Sequence, residues 1–214
     1  MNSPLEDKLV LCFAELYPGP YATAILADLG AEVVLVERPS GDRGRAIPEF
    51  FAAFAQGKRS VSLDLKKPGS IQRLRPLIER ADVVVEGFSP GTADRLGFGY
   101  QALREMNPRL VYASISGFGQ TGPYRDRAAH DLSYQALAGT LADRAVTPGG
   151  ALPRVALGDV SGALFAVIGI LAGLQGREAS GQGTYVDVGM TDSLVSCLAS
   201  RLAPVLNGGR PLDV

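Results

Sequence analysis

The chain has one histidine and two cysteines, so few side chains can do ring or thiol chemistry. His130 stands in Arg127-Ala128-Ala129-His130-Asp131, at the start of a predicted helix. Imidazole titrates near neutral pH and can serve as a general base, although a lone surface or capping histidine gives the same pattern. Asp159 follows Gly158 and precedes a long apolar run. Aspartate is a favoured N-cap. The amides and dipole of the same helix start can also hold a developing oxyanion. A third group is basic: Arg38, Arg43 and Arg45 follow the second expected strand, Lys58 and Arg59 precede the third, and Lys66 and Lys67 follow it. Each alone is an ordinary solvated charge. Gathered at one sheet edge, they would meet the phosphates of a nucleotide-like ligand. Cys12 and Cys197 lie far apart in apolar runs and are expected as buried, reduced thiols of a cytoplasmic protein. With one histidine they cannot build a zinc cage alone, so no metal is expected.

The elements that position these groups alternate. Strands are expected at Lys8 to Phe13, Glu32 to Glu37, Ser60 to Leu65, Asp82 to Glu86 and Leu110 to Ile115. Helices are expected at Tyr21 to Leu29, closed by Gly30 and preceded by a break at Pro18-Gly19-Pro20, then at Phe50 to Ala55, Ser70 to Arg80 and, with a glycine break, Ala93 to Met106. The β-branched run Glu-Val-Val-Leu-Val-Glu suits a strand covered on both faces. Strand, helix, strand, helix implies an α/β fold with a mostly parallel sheet flanked by helices. Ligands of such sheets bind beyond the carboxyl ends of the strands. Those ends carry Glu15 to Pro20, Arg38 to Arg45, Glu86 to Gly91 and Ser116 to Pro123. Further on come a helix over Asp131 to Leu141, a Gly/Pro loop over Ala142 to Pro153 and an apolar helix over Asp159 to Gln175. A strand over Thr184 to Val188 and a helix over Thr191 to Val205 complete the reading.

Length and composition exclude several classes. The 214 residues, 46% of them hydrophobic, are ordinary for one large domain and too apolar for wholesale disorder. A net charge of -1 speaks against a generally basic nucleic-acid binder. The apolar stretch Ala163 to Leu174 suits a buried helix and is too short to span a bilayer, and the N-terminus lacks a signal-peptide pattern. No G-x-G-x-x-G, Walker A or G-x-S-x-G motif occurs.

Six collinear strings carry a family resemblance. They are Leu26 to Arg38 (LADLGAEVVLVER), Lys58 to Lys66 (KRSVSLDLK), Val85 to Gly91 (VEGFSPG), Ser116 to Pro123 (SGFGQTGP), Gly158-Asp159 and Arg177 to Gly183 (REASGQG). In this respect the chain resembles the family III CoA-transferases, the group that also holds α-methylacyl-CoA racemases. The resemblance implies a Rossmann-like large domain that binds a CoA thioester as substrate, with no permanently bound cofactor. It implies that Arg38 contacts adenine or phosphate, and that Leu63, Lys66, Gly87, Phe88 and Arg95 form the rest of the CoA groove. Many relatives carry Arg at the position of Ser89.

The branches differ near His130. In the transferases the aspartate at the position of Asp159 is the nucleophile, forming an anhydride and then an enzyme thioester, and the position of His130 is usually aromatic. In the racemases a histidine stands there, and His and Asp act as opposed acid and base. His130-Asp131-Leu132-Ser133-Tyr134 is similar to the racemase pattern. The expectation is therefore a racemase-like enzyme with His130 and Asp159 catalytic. A CoA-transferase working through Asp159 is the alternative, and an inactive CoA-binding module is a further one. Family members run well beyond the Gly208-Gly209 linker. Residues 1–206 are thus expected as the large domain, 207–214 as the start of a linker, and the small domain as absent. A homodimer, interlocked or completed by a second chain, is the expected assembly, with neither nucleic acid nor membrane as partner.

Overall fold

Runs of Val, Leu and Ile decide the sheet. In the computed structural model, which describes residues 3–142 and 153–210, they form six strands. These are β1 Leu9–Cys12, β2 Glu32–Glu37, β3 Arg59–Ser62, β4 Val83–Glu86, β5 Val111–Ser116 and β6 Tyr185–Gly189. All neighbours pair in parallel, in the order β3-β2-β1-β4-β5-β6. Strand order reverses between β1 and β4, the place where open α/β sheets form a ligand crevice. β1, β4 and β5 are buried throughout, which is why they read as continuous apolar runs. β3 at the edge is mostly exposed and shorter than its alternating sequence predicts.

Nine α-helices are described: α1 Pro18–Asp28, α2 Pro48–Ala55, α3 Ser70–Ile78, α4 Thr92–Arg95, α5 Tyr100–Met106, α6 Asp131–Ala138, α7 Leu157–Ser180, α8 Met190–Cys197 and α9 Ala199–Leu206. Alternate residues of each strand serve opposite cores. Val10, Cys12, Val33 and Val85 join Leu26 of α1 and Ala166 and Ile170 of α7. Leu11, Phe13, Val34 and Val84 join Ile71 and Leu74 of α3 and Leu103 of α5. The helix α7 approaches the sheet closely because it carries glycines there. A Cβ on Gly169 would lie 2.5 Å from Val186 Cγ1, and one on Gly173 2.7 Å from Thr184 Cγ2. Its length of 24 residues and its apolarity are enough for a membrane span, yet one side packs into the core while Leu164, Ile168 and Leu171 face outward.

Four local expectations are corrected. Pro18-Gly19-Pro20 does not break the chain before α1 but forms its first turn. Proline at a helix start loses only an N–H that has no partner in the helix. The expected final helix is two, α8 and α9, separated at Leu198. Cys197 continues the buried stripe of Met190, Ser193 and Leu194 but is exposed, because nothing among the described residues covers the last turn of α8. Asp159 is not an N-cap: α7 starts at Leu157, which places Asp159 inside the first turn. Most of the expected loop between 142 and 153 lies outside the described residues.

Candidate active site at the carboxyl edge of the sheet

The helices α1 and α7 pack side by side. α1 leaves the carboxyl end of β1 and α7 leads back to the start of β6, so both begin at the carboxyl edge of the sheet. Asp131, at the start of α6, closes the entry to α7. Its Oδ1 accepts the amide N–H of Gly158 at 2.7 Å and of Asp159 at 3.2 Å. Gln135 holds the other oxygen at 2.5 Å and bonds the Val155 carbonyl at 3.3 Å. Two orphan amides of the helix start are thereby satisfied from a neighbouring helix. Gly158 is needed for this approach, since a Cβ there would sit 2.9 Å from Asp131 Oδ1.

The Asp159 carboxylate itself accepts no hydrogen bond among the described residues. Burial, and then the charge of Asp131, push its pKa up to about 6. A carboxylate without donors, beside a second carboxylate, is poorly solvated and correspondingly reactive towards an electrophile. Two phenols stand in the same neighbourhood. Burial raises Tyr17 and Tyr134, and the fields of Asp159 and Asp131 add to it. Tyr134 is anchored by its hydroxyl, which donates to the Ala129 carbonyl at 2.7 Å. Tyr17 precedes α1 and follows Leu16, a non-glycine residue in the left-handed region at φ 66. Such strain persists only where the surrounding structure fixes it. His130 is the N-cap residue of α6, exposed, with no side-chain cap bond. The structure brings it to the same helix start as Asp131, one residue from the group that touches Asp159.

The expected CoA-groove residues line the same edge. Arg38 follows β2 and is half exposed; its guanidinium holds both carboxylate oxygens of Glu15, which Arg43 also approaches at 3.4 Å. Leu63 follows β3, is half-buried, and its N–H donates to the Glu37 carbonyl at 2.8 Å. Lys66 is exposed. Gly87 and Phe88 follow β4, and the Phe88 N–H is tied back to Glu86 Oε2 at 2.8 Å. Burial pushes that Glu86 carboxyl up to about 7. Arg95 ends α4, exposed, its guanidinium on Thr92 Oγ1 at 2.7 Å. Lys66 and Arg95 are thus exposed cations, whereas Arg38 is held by Glu15.

Two members of the expected basic cluster do other work. Arg45 grips Glu37 with two bonds of 2.6 Å, and Glu37 also accepts from Ser60 and from the Asp42 N–H at 2.8 Å. These donors hold the Glu37 carboxyl at a pKa of about 2. Lys58 turns inward and donates to the Pro20 carbonyl at 2.7 Å and to Thr23 Oγ1 at 2.8 Å, while burial lowers its pKa to about 8. Among the described residues, no three of His, Cys, Asp and Glu converge as metal ligands.

The sequence matches CoA-transferase family III over residues 5–213. The chain belongs to that family. It is 38% identical over 212 residues to an acetyl-CoA:oxalate CoA-transferase of Acetobacter aceti, covering 94% of this chain and 54% of the relative. It is 42% identical over 212 residues to a succinyl-CoA:mesaconate CoA-transferase of Haloarcula hispanica, covering 90% of this chain and 53% of the relative. A crystal structure of a CaiB/BaiF family protein from Brucella suis superposes with a TM-score of 0.91 at 34% identity, covering 99% of this chain and 60% of that one. The chain thus spans about half the length of the curated relatives it matches.

Within the family frame, sequence reasoning missed Asp131, Tyr17 and Glu37. Asp131 has a faint sequence signal, an acid in the first turn of its own helix. Its bond to another helix start has none. Tyr17 and Glu37 carry no spacing that distinguishes them from core or surface residues.

Proposed function

We propose that this chain is the CoA-binding α/β part of a CoA-transferase in which Asp159 is the nucleophile. The observation that carries the reading is the Asp159 carboxylate, half-buried in the first turn of α7, without a hydrogen-bond donor among the described residues and pushed up to about 6. Membership of the family supports it, as do relatives named as CoA-transferases. In the proposed cycle, Asp159 Oδ attacks the thioester carbonyl, the C–S bond breaks, and CoA leaves as thiolate. The mixed anhydride is then attacked by that thiolate at the aspartyl carbonyl, giving an Asp159–CoA thioester and the free donor acid. An acceptor carboxylate attacks the aspartyl carbonyl in turn and regenerates an anhydride and thiolate. Attack of the thiolate on the acceptor's acyl carbon yields the new thioester and restores Asp159. Asp131, which holds the Gly158 and Asp159 amides, fixes the helix start through these steps. Arg38, Leu63, Lys66, Gly87, Phe88 and Arg95 are assigned to the CoA moiety. The reading takes residues 1–206 as one domain and 207–214 as the start of a linker.

A second reading keeps one observation in its favour. His130 shares the α6 start with Asp131, so α-proton exchange in a racemase-like reaction stands beside acyl transfer. Incubation with an acyl-CoA and an acceptor acid should give a new thioester, which Asp159→Ala abolishes and His130→Ala leaves largely intact. Incorporation of α-deuterium from heavy water without any new thioester would favour the racemase reading instead.

A further inference from the structure

A cleft of ≈ 200 Å³ opens on the face of the sheet away from Asp159. Alternate residues of β4 divide between the two cores. Val83 and Val85 join the α7 side and Val84 the side of α3 and α5, so Glu86 continues the latter face. The buried floor of the cleft is Glu86, Tyr112 and Ser114, and its exposed mouth is Ser89, Asp94 and Gln101. Tyr100 and Tyr185 stack with centroids 5.1 Å apart and Tyr112 lies 5.8 Å from Tyr185, so one wall is aromatic. The space is below that of drug-sized ligand pockets and suits a small molecule.

Polar groups converge there without partners. Tyr112 is 1% exposed, and its hydroxyl has no hydrogen-bond partner among the described residues. Gln120 Nε2, also at the cleft, is buried and unpaired. Buried polar groups are otherwise almost always satisfied. Glu86 accepts the Phe88 N–H at 2.8 Å and a bond from Ser114, which in turn accepts from Tyr185 at 3.1 Å. Burial, with the charges of Asp94 and Asp187 adding to it, holds the Glu86 carboxyl up at about 7.

The charge of the cleft is one-sided. Two carboxyl groups, Glu86 and Asp94, line it, and no Lys, Arg or His does. The guanidinium groups of Arg95 and Arg125 lie 3.7 and 4.0 Å from where a Cβ on Gly91 would stand. Arg95 is bonded to Thr92, however, and Arg125 is paired with Asp126 at 3.4 Å. A carboxylate or phosphate entering the cleft would meet two like charges. Among the described residues no three His, Cys, Asp or Glu converge as metal ligands. A primary ammonium group brings one positive charge and three N–H donors. The two carboxylates and the Tyr112 oxygen can accept all three, in charge-assisted bonds. A half-turn of the Gln120 amide presents its oxygen as a further acceptor. Carbons attached to the nitrogen would lie against the tyrosine wall.

We infer that this cleft binds a small organic ammonium ion, its nitrogen between Glu86, Asp94 and Tyr112 and its carbons against Tyr100 and Tyr185. The site lies apart from Asp159 and does not depend on the transferase reading.

NMR titration of the full chain with n-butylammonium, n-butanol, butyrate and potassium chloride tests it, at constant ionic strength. The Phe88 amide reports on the cleft because it donates to Glu86. Butylammonium is expected to shift that signal saturably and to bind about tenfold tighter than butanol, the scale of a charge-assisted hydrogen bond. Butyrate and potassium are expected to leave it unmoved. Asp94→Asn, at the exposed mouth, and Tyr112→Phe, which removes only the hydroxyl, should each weaken butylammonium severalfold. A response to butanol or potassium equal to that of butylammonium overturns the ammonium assignment. Affinity unchanged in both variants overturns the placement in this cleft. No saturable shift with butylammonium overturns the site itself.

Discussion

Two carboxylates in this molecule sit on opposite sides of the ordinary range, for opposite reasons. Nothing among the described residues donates to the Asp159 carboxylate, and burial, then the charge of Asp131, pushes it up to about 6. Between roughly pH 4 and 6 the folded state binds a proton that the unfolded chain releases, so the ionised Asp159 costs stability above that window. Asp159→Asn is accordingly expected to stabilise the fold at pH 8 by about 1–2 kcal/mol, discounted for partial solvent access. The gain should fade as the pH drops through 6 and vanish below about 4, which paired thermal melts would reveal. An Asn variant no more stable than the parent at pH 8 would mean the carboxylate is better solvated than the geometry implies. Glu37 is the reverse case. Its four donors depress it to about 2, so its contribution is present above its unfolded pKa and lost as pH falls from about 4.5 towards 2. Glu37→Gln leaves Arg45 and the Asp42 N–H poorly matched and is expected to cost about 2–3 kcal/mol in chemical denaturation at pH 7. An unchanged midpoint would show that the cluster is incidental to stability.

At the scale of elements, the closest fit in the site region lies between β1 and α1. A Cβ on Gly19 would come within 2.1 Å of Ala14 Cβ, and neither atom can rotate away. Gly19→Ala is expected to lower stability by about 1–3 kcal/mol through overpacking, despite alanine's better helix propensity. A variant with unchanged melting would show that the turn yields freely. Much of the framework around this turn is legible in the sequence. Val83 to Val85 and Val33 to Val36 announce buried parallel strands because β-branched runs have no other easy home. The start of α1 at Pro18 is not legible, since the same Pro-Gly-Pro string is both a chain breaker and an acceptable first turn. The site divides in the same way. Asp159 stands out by its place at the head of an apolar run, while Asp131 accepts from Gly158, 27 positions further along the chain, a pairing that only tertiary packing creates. Lys58 and Arg45 look like solvated charges until the fold turns them onto Pro20 and Glu37.

At the scale of the molecule, six parallel strands bring the ends of β1, β2 and β4 and the start of α7 to one edge, and Asp159 stands there in the first turn of α7. The outer side of α7 and the end of α9 are different in character, with Ile168 60% and Leu206 81% exposed. Exposed apolar side chains at this density mark an association surface, so the chain is expected to self-associate, with Ile168→Lys reducing its mass in light scattering. A constant monomer mass from low to high concentration would remove that expectation. The central claim is that Asp159 carries the transferred group. The most direct measurement is to mix the protein with an acyl-CoA, quench with hydroxylamine, and map the modified peptide by mass spectrometry. The account predicts a hydroxamate on Asp159, formed only with acyl-CoA present and absent in Asp159→Asn. An unmodified Asp159 under conditions where the acyl-CoA is consumed would contradict it.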